Sequence, residues 1–318
     1  MAGLKISVAL EHYDRTLPLL EGKVQPEGID LEVVHVGNAD GRDNRFLADY
    51  PWDACEISVA PYLMAIDQGA PITGIPVFHR RFLVPSHMYV NTRAGIKSPQ
   101  DLRGKRVGLA TPVLGLSVWA RGDLEHDYGV PLDQVNWVAG RGEAVPYPPA
   151  GVSIEGAPQG KSIDQMLVSG EVDAYFSPML PPSFEAEAPE VGRLFADSKA
   201  EDKAYYQRNG FYPVIHIIAI KTEVLAQNPW VAMSLYNAFV EAQEKGFQYY
   251  KDPWWSYLSW THMALREQRE SLGTEAWANG VASNRTGLER FAGYMARQGL
   301  VSHKQELREY IAEETLDT

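Results

Sequence analysis

The chain has 318 residues, 45% hydrophobic and 22% charged, with a formal charge of −12. That length exceeds what a single core usually fills, near ~250–300 residues, and points to two lobes. The acidity excludes a typical nucleic-acid binder and requires any anion site to be a local cluster of arginines and backbone N–H groups.

The elements follow in chain order. Alternating β-rich residues predict strands at 5–10 and 29–36, and an apolar run predicts a third at 52–57. Helices are expected at 42–50 and 58–68, the second ended by Gly69. Strands at 71–77, 88–91 and 107–110 lead to a helix at 115–128 and a strand at 135–138. Residues 140–160 are rich in Gly and Pro without periodicity and read as a long surface loop. A helix at 162–169, strands at 172–176 and 214–221, and helices at 229–250, 254–272 and 284–298 complete the chain. The alternation of strands and helices over residues 5–68 predicts a parallel α/β sheet. Lobe one is expected at residues 1–90 plus 220–318 and lobe two at 91–219, with a double crossover near 88–91 and 214–221 as hinge. Ligands of such sheets sit beyond the carboxyl ends of the strands.

The single cysteine, Cys55, excludes an intrachain disulfide and a cysteine-based zinc site, and its apolar surroundings mark a buried, inert thiol. No apolar run reaches the ~20 residues of a membrane span, so no membrane partner is expected. The start, MAGLKISVAL, lacks the charged, apolar and small-residue regions of an export signal; taken as complete, it gives a cytoplasmic expectation.

The run NTRAGIKSPQDLRGKRVG, residues 91–108, combines a helix start at Ser98-Pro99, Asp101 in the first turn, a Gly104 stop and a following strand. It resembles the beginning of the second lobe in the type II periplasmic-binding-protein fold, a two-lobed α/β fold with a central cleft. A narrower likeness covers most of the chain. Tyr13-Asp-Arg-Thr16, Gly22-Lys-Val-Gln-Pro-Glu-Gly-Ile-Asp-Leu31, Glu56-Ile-Ser58 with Tyr62-Leu63, and Pro76-Val-Phe78 resemble the 4,5-dihydroxyphthalate decarboxylases. So do Tyr89-Val-Asn91, Val118-Trp-Ala-Arg-Gly122, Ser169-Gly-Glu-Val-Asp-Ala174, Pro213-Val-Ile-His216 and Asn228-Pro-Trp-Val-Ala232. Arg81 holds the family's first Arg position after Pro-Val-Phe, whereas Val84 and Pro85 stand where a further Arg and His are expected. The resemblance implies a cofactor-independent carboxy-lyase acting on a hydroxylated aromatic carboxylic acid; a non-catalytic binder of an aromatic or heterocyclic small molecule is the alternative.

Such a reaction needs an acid/base pair, cationic anchors for carboxylates and positioning. Glu56, after an apolar strand, reads either as a rim carboxylate or as a general acid/base. His216, within Val-Ile-His-Ile-Ile, is either a core histidine or a cleft-facing acid/base. The pair is expected to meet across the cleft, one residue from each crossing region. Candidate substrate contacts are His12, Asp14 (or a helix cap) and Arg15 after the first strand, Arg45 on the next helix, and Ser58 beside Glu56. His79, Arg81 and His87 lie at the lobe boundary, where Arg81 is the expected carboxylate anchor and Arg193 a surface charge. Thr111, Gly115 and Ser117 open a helix after a strand, a place where backbone N–H groups receive anions. The histidines have no metal-ligand spacing; no cofactor or strong metal site is expected, and a weak divalent ion shared by Glu56, a histidine and substrate oxygens stays open. The aromatic run Trp254-Trp255-Ser-Tyr257-Leu-Ser-Trp260 reads as helix burial, a pocket lining or a homo-oligomer interface.

Overall fold

A computed structural model describes residues 3–37, 39–140 and 152–318. Its strands are β1 (Leu4–Leu10), β2 (Ile29–His35), β3 (Ala54–Ser58), β4 (Ile72–Ile75), β5 (Met88–Asn91), β6 (Arg106–Leu109), β7 (Asn136–Ala139), β8 (Ile154–Gly156), β9 (Ala174–Phe176), β10 (Val191–Arg193) and β11 (His216–Lys221). The chain divides into two compact units. The first comprises Met1–Arg80, Val214–Leu288 and Gln305–Thr318; the second comprises Arg81–Pro213 and Glu289–Lys304. The boundaries therefore fall ten residues earlier than expected on the first crossing and six earlier on the second. β5 lies wholly in the second unit and β11 wholly in the first. Residues 289–304, expected in lobe one, belong to the second unit, because the chain crosses back there once more.

In the first unit the sheet order is β2-β1-β3-β11-β4. β1 runs parallel to β2 and β3, but β11 runs antiparallel to both β3 and β4. The parallel sheet expected from the first three strands forms, and β11 joins it from the far end of the sequence in the opposite direction. Every residue of β3 is buried, as a central strand covered on both faces must be. Alternation puts Ala54, Glu56 and Ser58 on one face, with Cys55 and Ile57 on the other. Cys55 is a free, buried thiol whose pKa is pushed well up by burial, the state of an inert cysteine.

One sheet face carries Ile6, Val8, Leu10, Ala54, Ile218 and Ile220, packed against Val231, Leu235, Ala238, Phe239 and Ala242 of the helix Trp230–Tyr249. These helix positions recur at the 3.6-residue period, so the helix presents one apolar stripe to the sheet. Gly246 ends that stripe. A Cβ there would lie 2.5 Å from the carbonyl oxygen of Asp14, so glycine lets the loop after β1 close on the helix.

The second unit has the sheet order β10-β5-β9-β6-β7-β8, with β5 antiparallel to β9 and β10 and the rest parallel. The expected loop at 140–160 is corrected in part. Residues 154–156 form β8, an edge strand on β7, and residues 141–151 lie outside the described residues. The Asn91–Gly108 run forms as read, with a short 3-10 helix at Pro99–Leu102 and Gly104 at φ +73°. The Asp101 carboxylate accepts from the N–H groups of Lys97 and Ser98, tying the turn shut. The expected helix at 254–272 begins only at Thr261.

One buried group in the second unit sets a pH dependence. Asp123, on the helix Gly115–His126, is fully buried and accepts from the Tyr294 hydroxyl at 3.0 Å. Gly122 makes room for that ring, since a Cβ would meet it at 2.1 Å. Burial, reinforced by Asp127, pushes the Asp123 pKa up to about 8. The unfolded chain releases this proton near 3.8 while the folded chain retains it, so the folded state binds more protons between about 4 and 8. Stability on this account falls as pH rises through that window. Asp123→Asn is expected to raise the urea midpoint at pH 8 and to leave it nearly unchanged at pH 4. An equal shift at both pH values would show that Asp123 does not titrate in this way.

Candidate active site

The carboxyl ends of β1, β3 and β4 and the start of β11 carry an interlocked polar cluster, all in the first unit. Pairing sets Val8 opposite Ala54 and Ala9 opposite Cys55, so β3 reaches Glu56 where β1 ends. On the other side His216 faces Ser58 and Ile218 faces Glu56, which places Glu56 and His216 diagonally on one sheet face. The His216 Nδ1 lies 2.7 Å from Glu56 Oε1. The two residues thus meet on neighbouring strands of one sheet, not across a cleft as expected.

Glu56 is fully buried and has four further neighbours. The Tyr13 hydroxyl donates to Oε1 at 2.9 Å, and the Glu11 N–H approaches Oε2 at 3.4 Å. Arg42, from the helix Ala39–Asp49, is fully buried and donates from Nε to the Glu56 carbonyl at 2.7 Å; its Nη1 lies 3.7 Å from Oε2. Arg80 donates from Nε to the Tyr13 hydroxyl oxygen at 2.5 Å and from Nη2 to Glu11. Burial alone would raise the Glu56 pKa, but the His216 hydrogen bond and the charges of His216 and Arg42 outweigh it and hold the carboxyl well below its usual range. Burial lowers His216 to about 4 against the pull of Glu56. A neutral His216 beside an ionised Glu56 carries its proton on Nδ1, which leaves the Nε2 lone pair as a base. Arg42 Nη2, 3.5 Å from the same Nδ1, then has no lone pair to meet and is not a hydrogen-bond donor to it.

His79 extends the cluster. It is buried, and neither ring nitrogen has a hydrogen-bond partner among the described residues. Burial, with the Arg15 charge adding and Glu56 opposing, lowers its pKa to about 3, so it is neutral. Its ring packs edge-on against Phe239 at 5.0 Å.

A comparison of the chain with curated proteins decides its family. It is 32% identical over 314 residues to a 4,5-dihydroxyphthalate decarboxylase of Comamonas testosteroni, covering 96% of this chain and 95% of that protein. The chain belongs to the 4,5-dihydroxyphthalate decarboxylase family. The decarboxylase of the same name from Pseudomonas putida is 33% identical over 215 residues, 65% of this chain and 83% of that protein. The family model described as NMT1/THI5 like matches residues 25–144. Among solved structures, a periplasmic sulfonate-binding protein from Methylobacillus flagellatus superposes with a TM-score of 0.61 at 13% identity, covering 98% of this chain and 92% of that one. The fold of this family member is thus the type II periplasmic-binding-protein-like α/β fold expected from the sequence.

The remaining expected contacts are scattered in this family member. In the first unit, Asp14 does not cap a helix: its carboxylate accepts from the Arg15 N–H at 2.8 Å and from the Tyr250 hydroxyl at 2.6 Å. Arg15 donates from Nε to the His79 carbonyl at 2.7 Å, with its guanidinium over the rings of Tyr13 and Trp277. His12 is exposed and stacked on His35 at 3.8 Å. Arg45 is exposed over the Trp52 ring, so the buried arginine of its helix is Arg42, one turn earlier. The Ser58 N–H donates to Asp43 at 3.0 Å, and its hydroxyl is buried without a hydrogen-bond partner among the described residues.

The other candidates lie in the second unit. Arg81 is buried and donates to the Tyr212 carbonyl at 3.0 Å. Arg193 is not a bare surface charge, because its guanidinium lies over Tyr89 and Phe184 and it donates to the Ser86 carbonyl. His87 contacts the Ser177 carbonyl at 3.1 Å, and burial lowers its pKa to about 4. Thr111 accepts the Val113 N–H at 3.3 Å, while Gly115 and Ser117 are buried in the first turn of their helix. Tyr13, Arg42 and Glu11 are the cluster members that sequence reasoning passed over, and at the lobe boundary it is Arg80, not the expected Arg81, that joins the cluster. Among the described residues, no group of three or more His, Cys, Asp and Glu side chains is gathered for a metal ion. Arg42 and Arg80 both face Glu56, which opposes a divalent cation on that carboxylate.

Proposed function

We propose that this chain is a cofactor-independent decarboxylase of a hydroxylated aromatic carboxylic acid, with 4,5-dihydroxyphthalate as the leading substrate. The observation that carries the reading is the 2.7 Å contact between Glu56 and a neutral His216 at the carboxyl end of the sheet, in a chain of this family. His216 Nε2 takes the phenolic proton, and Glu56, held ionised, stabilises the imidazolium that forms. A proton from solvent water adds to the ring carbon bearing the carboxylate and gives a dearomatised intermediate. The bond to the carboxylate then breaks, CO₂ leaves, and the electron pair returns to the ring. Once CO₂ has left, the His216 imidazolium returns its proton to the phenolate. The ring itself is the electron sink, so the step needs no cofactor. Arg80, its side chain 27% exposed beside the pair, is the cation placed to meet a substrate carboxylate.

The test is CO₂ release from a panel of hydroxybenzoates and hydroxyphthalates. Turnover of 4,5-dihydroxyphthalate is expected, with little or none for analogues lacking a ring hydroxyl para or ortho to the lost carboxylate. Tight binding across the panel without CO₂ release would replace the reading by that of a binding protein.

A further inference from the structure

The cation that faces the substrate already holds a carboxylate. Arg80 Nη2 donates to Glu11 Oε2, and Arg80 Nε donates to the Tyr13 hydroxyl oxygen at 2.5 Å. Glu11 is the first residue after β1, and its backbone N–H approaches Glu56 Oε2 at 3.4 Å. Its backbone is therefore tied to the cluster, while its side chain is 23% exposed and has room to turn out into water. The Arg42–Glu56 contact beneath it has no such freedom, since both side chains are fully buried.

Glu11 fills this place incompletely. Arg42 Nη1 is buried and has no hydrogen-bond partner among the described residues. It lies 3.6 Å from Glu11 Oε2 and 3.7 Å from Glu56 Oε2, beyond hydrogen-bond reach of both. A carboxylate tethered to the end of β1 thus serves one guanidinium and leaves a donor of the other unmet, which is costly for a buried group. A free carboxylate in the same place can accept from Arg80 Nη2 and Arg42 Nη1 together. Charge requires an exchange. Two guanidinium groups, Arg42 and Arg80, face three carboxylates, Glu11, Asp43 and Glu56. A fourth carboxylate added to this set is repelled, so a ligand enters as Glu11 leaves.

We propose that Glu11 is a built-in stand-in for the substrate's retained carboxylate and sets which acids the site accepts. The inference rests on the reading of Arg80 as the carboxylate anchor. A ligand binds only the fraction of molecules in which Glu11 has released Arg80, and its affinity falls by that fraction. The same factor applies to every acid. It removes weak monocarboxylates from the working range and leaves a dicarboxylate, which has a second group to hold on by.

The test is isothermal titration of the full chain with phthalate, which has no ring hydroxyl and so cannot take the proposed route. Glu11→Gln is expected to bind phthalate about 10-fold tighter than the native chain, the scale of releasing one charge-assisted hydrogen bond. Benzoate should gain by a similar factor. In an Arg80→Ala background, Glu11→Gln should change phthalate affinity by less than ~2-fold, because the competition it relieves is gone. Glu11→Asp keeps the charge, falls short of Arg80 and should show part of the gain; near-UV circular dichroism checks that each variant is folded. An affinity of Glu11→Gln equal to or below the native one overturns the proposal and makes Glu11 a residue that merely holds Arg80 in place. A gain that persists without Arg80 overturns it as a general effect of charge, and so does phthalate binding too weak to detect in both proteins. The titration reads binding alone, so failure of the CO₂ assay and failure of this inference are distinct results.

Discussion

His216→Asn is expected to lower turnover by about 10²-fold or more, the usual size of an acid–base contribution, while the protein stays folded. The substitution separates two roles of one ring. The side-chain amide of asparagine keeps an N–H where His216 Nδ1 meets Glu56 Oε1 at 2.7 Å, so the buried carboxylate retains a donor. What is lost is Nε2, the lone pair that accepts the substrate proton. Glu56→Gln gives a loss of similar size by a different route. The imidazolium formed during the reaction no longer has its counter-charge, and the amide competes for the Nδ1 tautomer. Because His216 sits at about 4 in the folded protein, the wild-type rate should be flat from pH 6 to 8 and fall only as pH drops toward that value. The decisive measurement is kcat per folded molecule, with the folded fraction read by near-UV circular dichroism. A His216→Asn protein with a reduced folded fraction but normal kcat per folded molecule would make His216 a core residue. The base would then be sought at His79, which is buried close by, neither ring nitrogen having a hydrogen-bond partner among the described residues.

Much of this arrangement was legible in the residues. Periodicity located the strands that matter, because β1, β3 and β11 are short apolar runs bounded by polar turns. A lone Glu and a lone His inside two such runs stood out as groups that need partners. Which partners they find was not legible, because β3 and β11 pair across 160 residues of intervening sequence. Direction was missed for the same reason: nothing local in Val-Ile-His-Ile-Ile says that β11 enters antiparallel. Arg42 was lost to a shift of one helical turn, since the residues of 42–50 alone do not say which arginine turns inward. The helix Ser198–Asn209 was missed although its caps are plain, with Asp197 accepting the Ala200 N–H at 2.9 Å and Gly210 at φ +70°. Tyr205 alone is buried along it, so it has almost no apolar stripe to betray its period. At 254–260 the opposite happened, where four aromatics suggested helix burial and the chain instead displays them to solvent.

Arg42→Met is expected to cost about 3–5 kcal/mol at pH 7, the usual price of breaking a buried ion pair from one side. Arg42 is fully buried among three carboxylates, with Glu56 at 3.7 Å, Glu11 at 3.6 Å and Asp43 at 3.7 Å. Methionine keeps much of the side-chain volume and removes the charge, so the loss is electrostatic and not one of packing. The pH dependence follows from Glu56, whose folded pKa lies below its unfolded value near 4.5. A depressed carboxylate contributes stability that is present above the unfolded pKa and lost as pH falls through the folded one. In Arg42→Met that depression shrinks, so the gap between the two proteins should be full at pH 7 and narrow once pH falls below the folded Glu56 pKa of the variant, which lies above that of the native protein. Adding Glu56→Gln to Arg42→Met should recover part of the loss, because the orphaned charge is then gone. Urea unfolding of the single and double variants at pH 7 and pH 4 reads all of this. A loss under about 1 kcal/mol, or one that does not change with pH, would mean that water or Arg80 already balances Glu56, and that Arg42 does not hold the carboxylate ionised beneath His216.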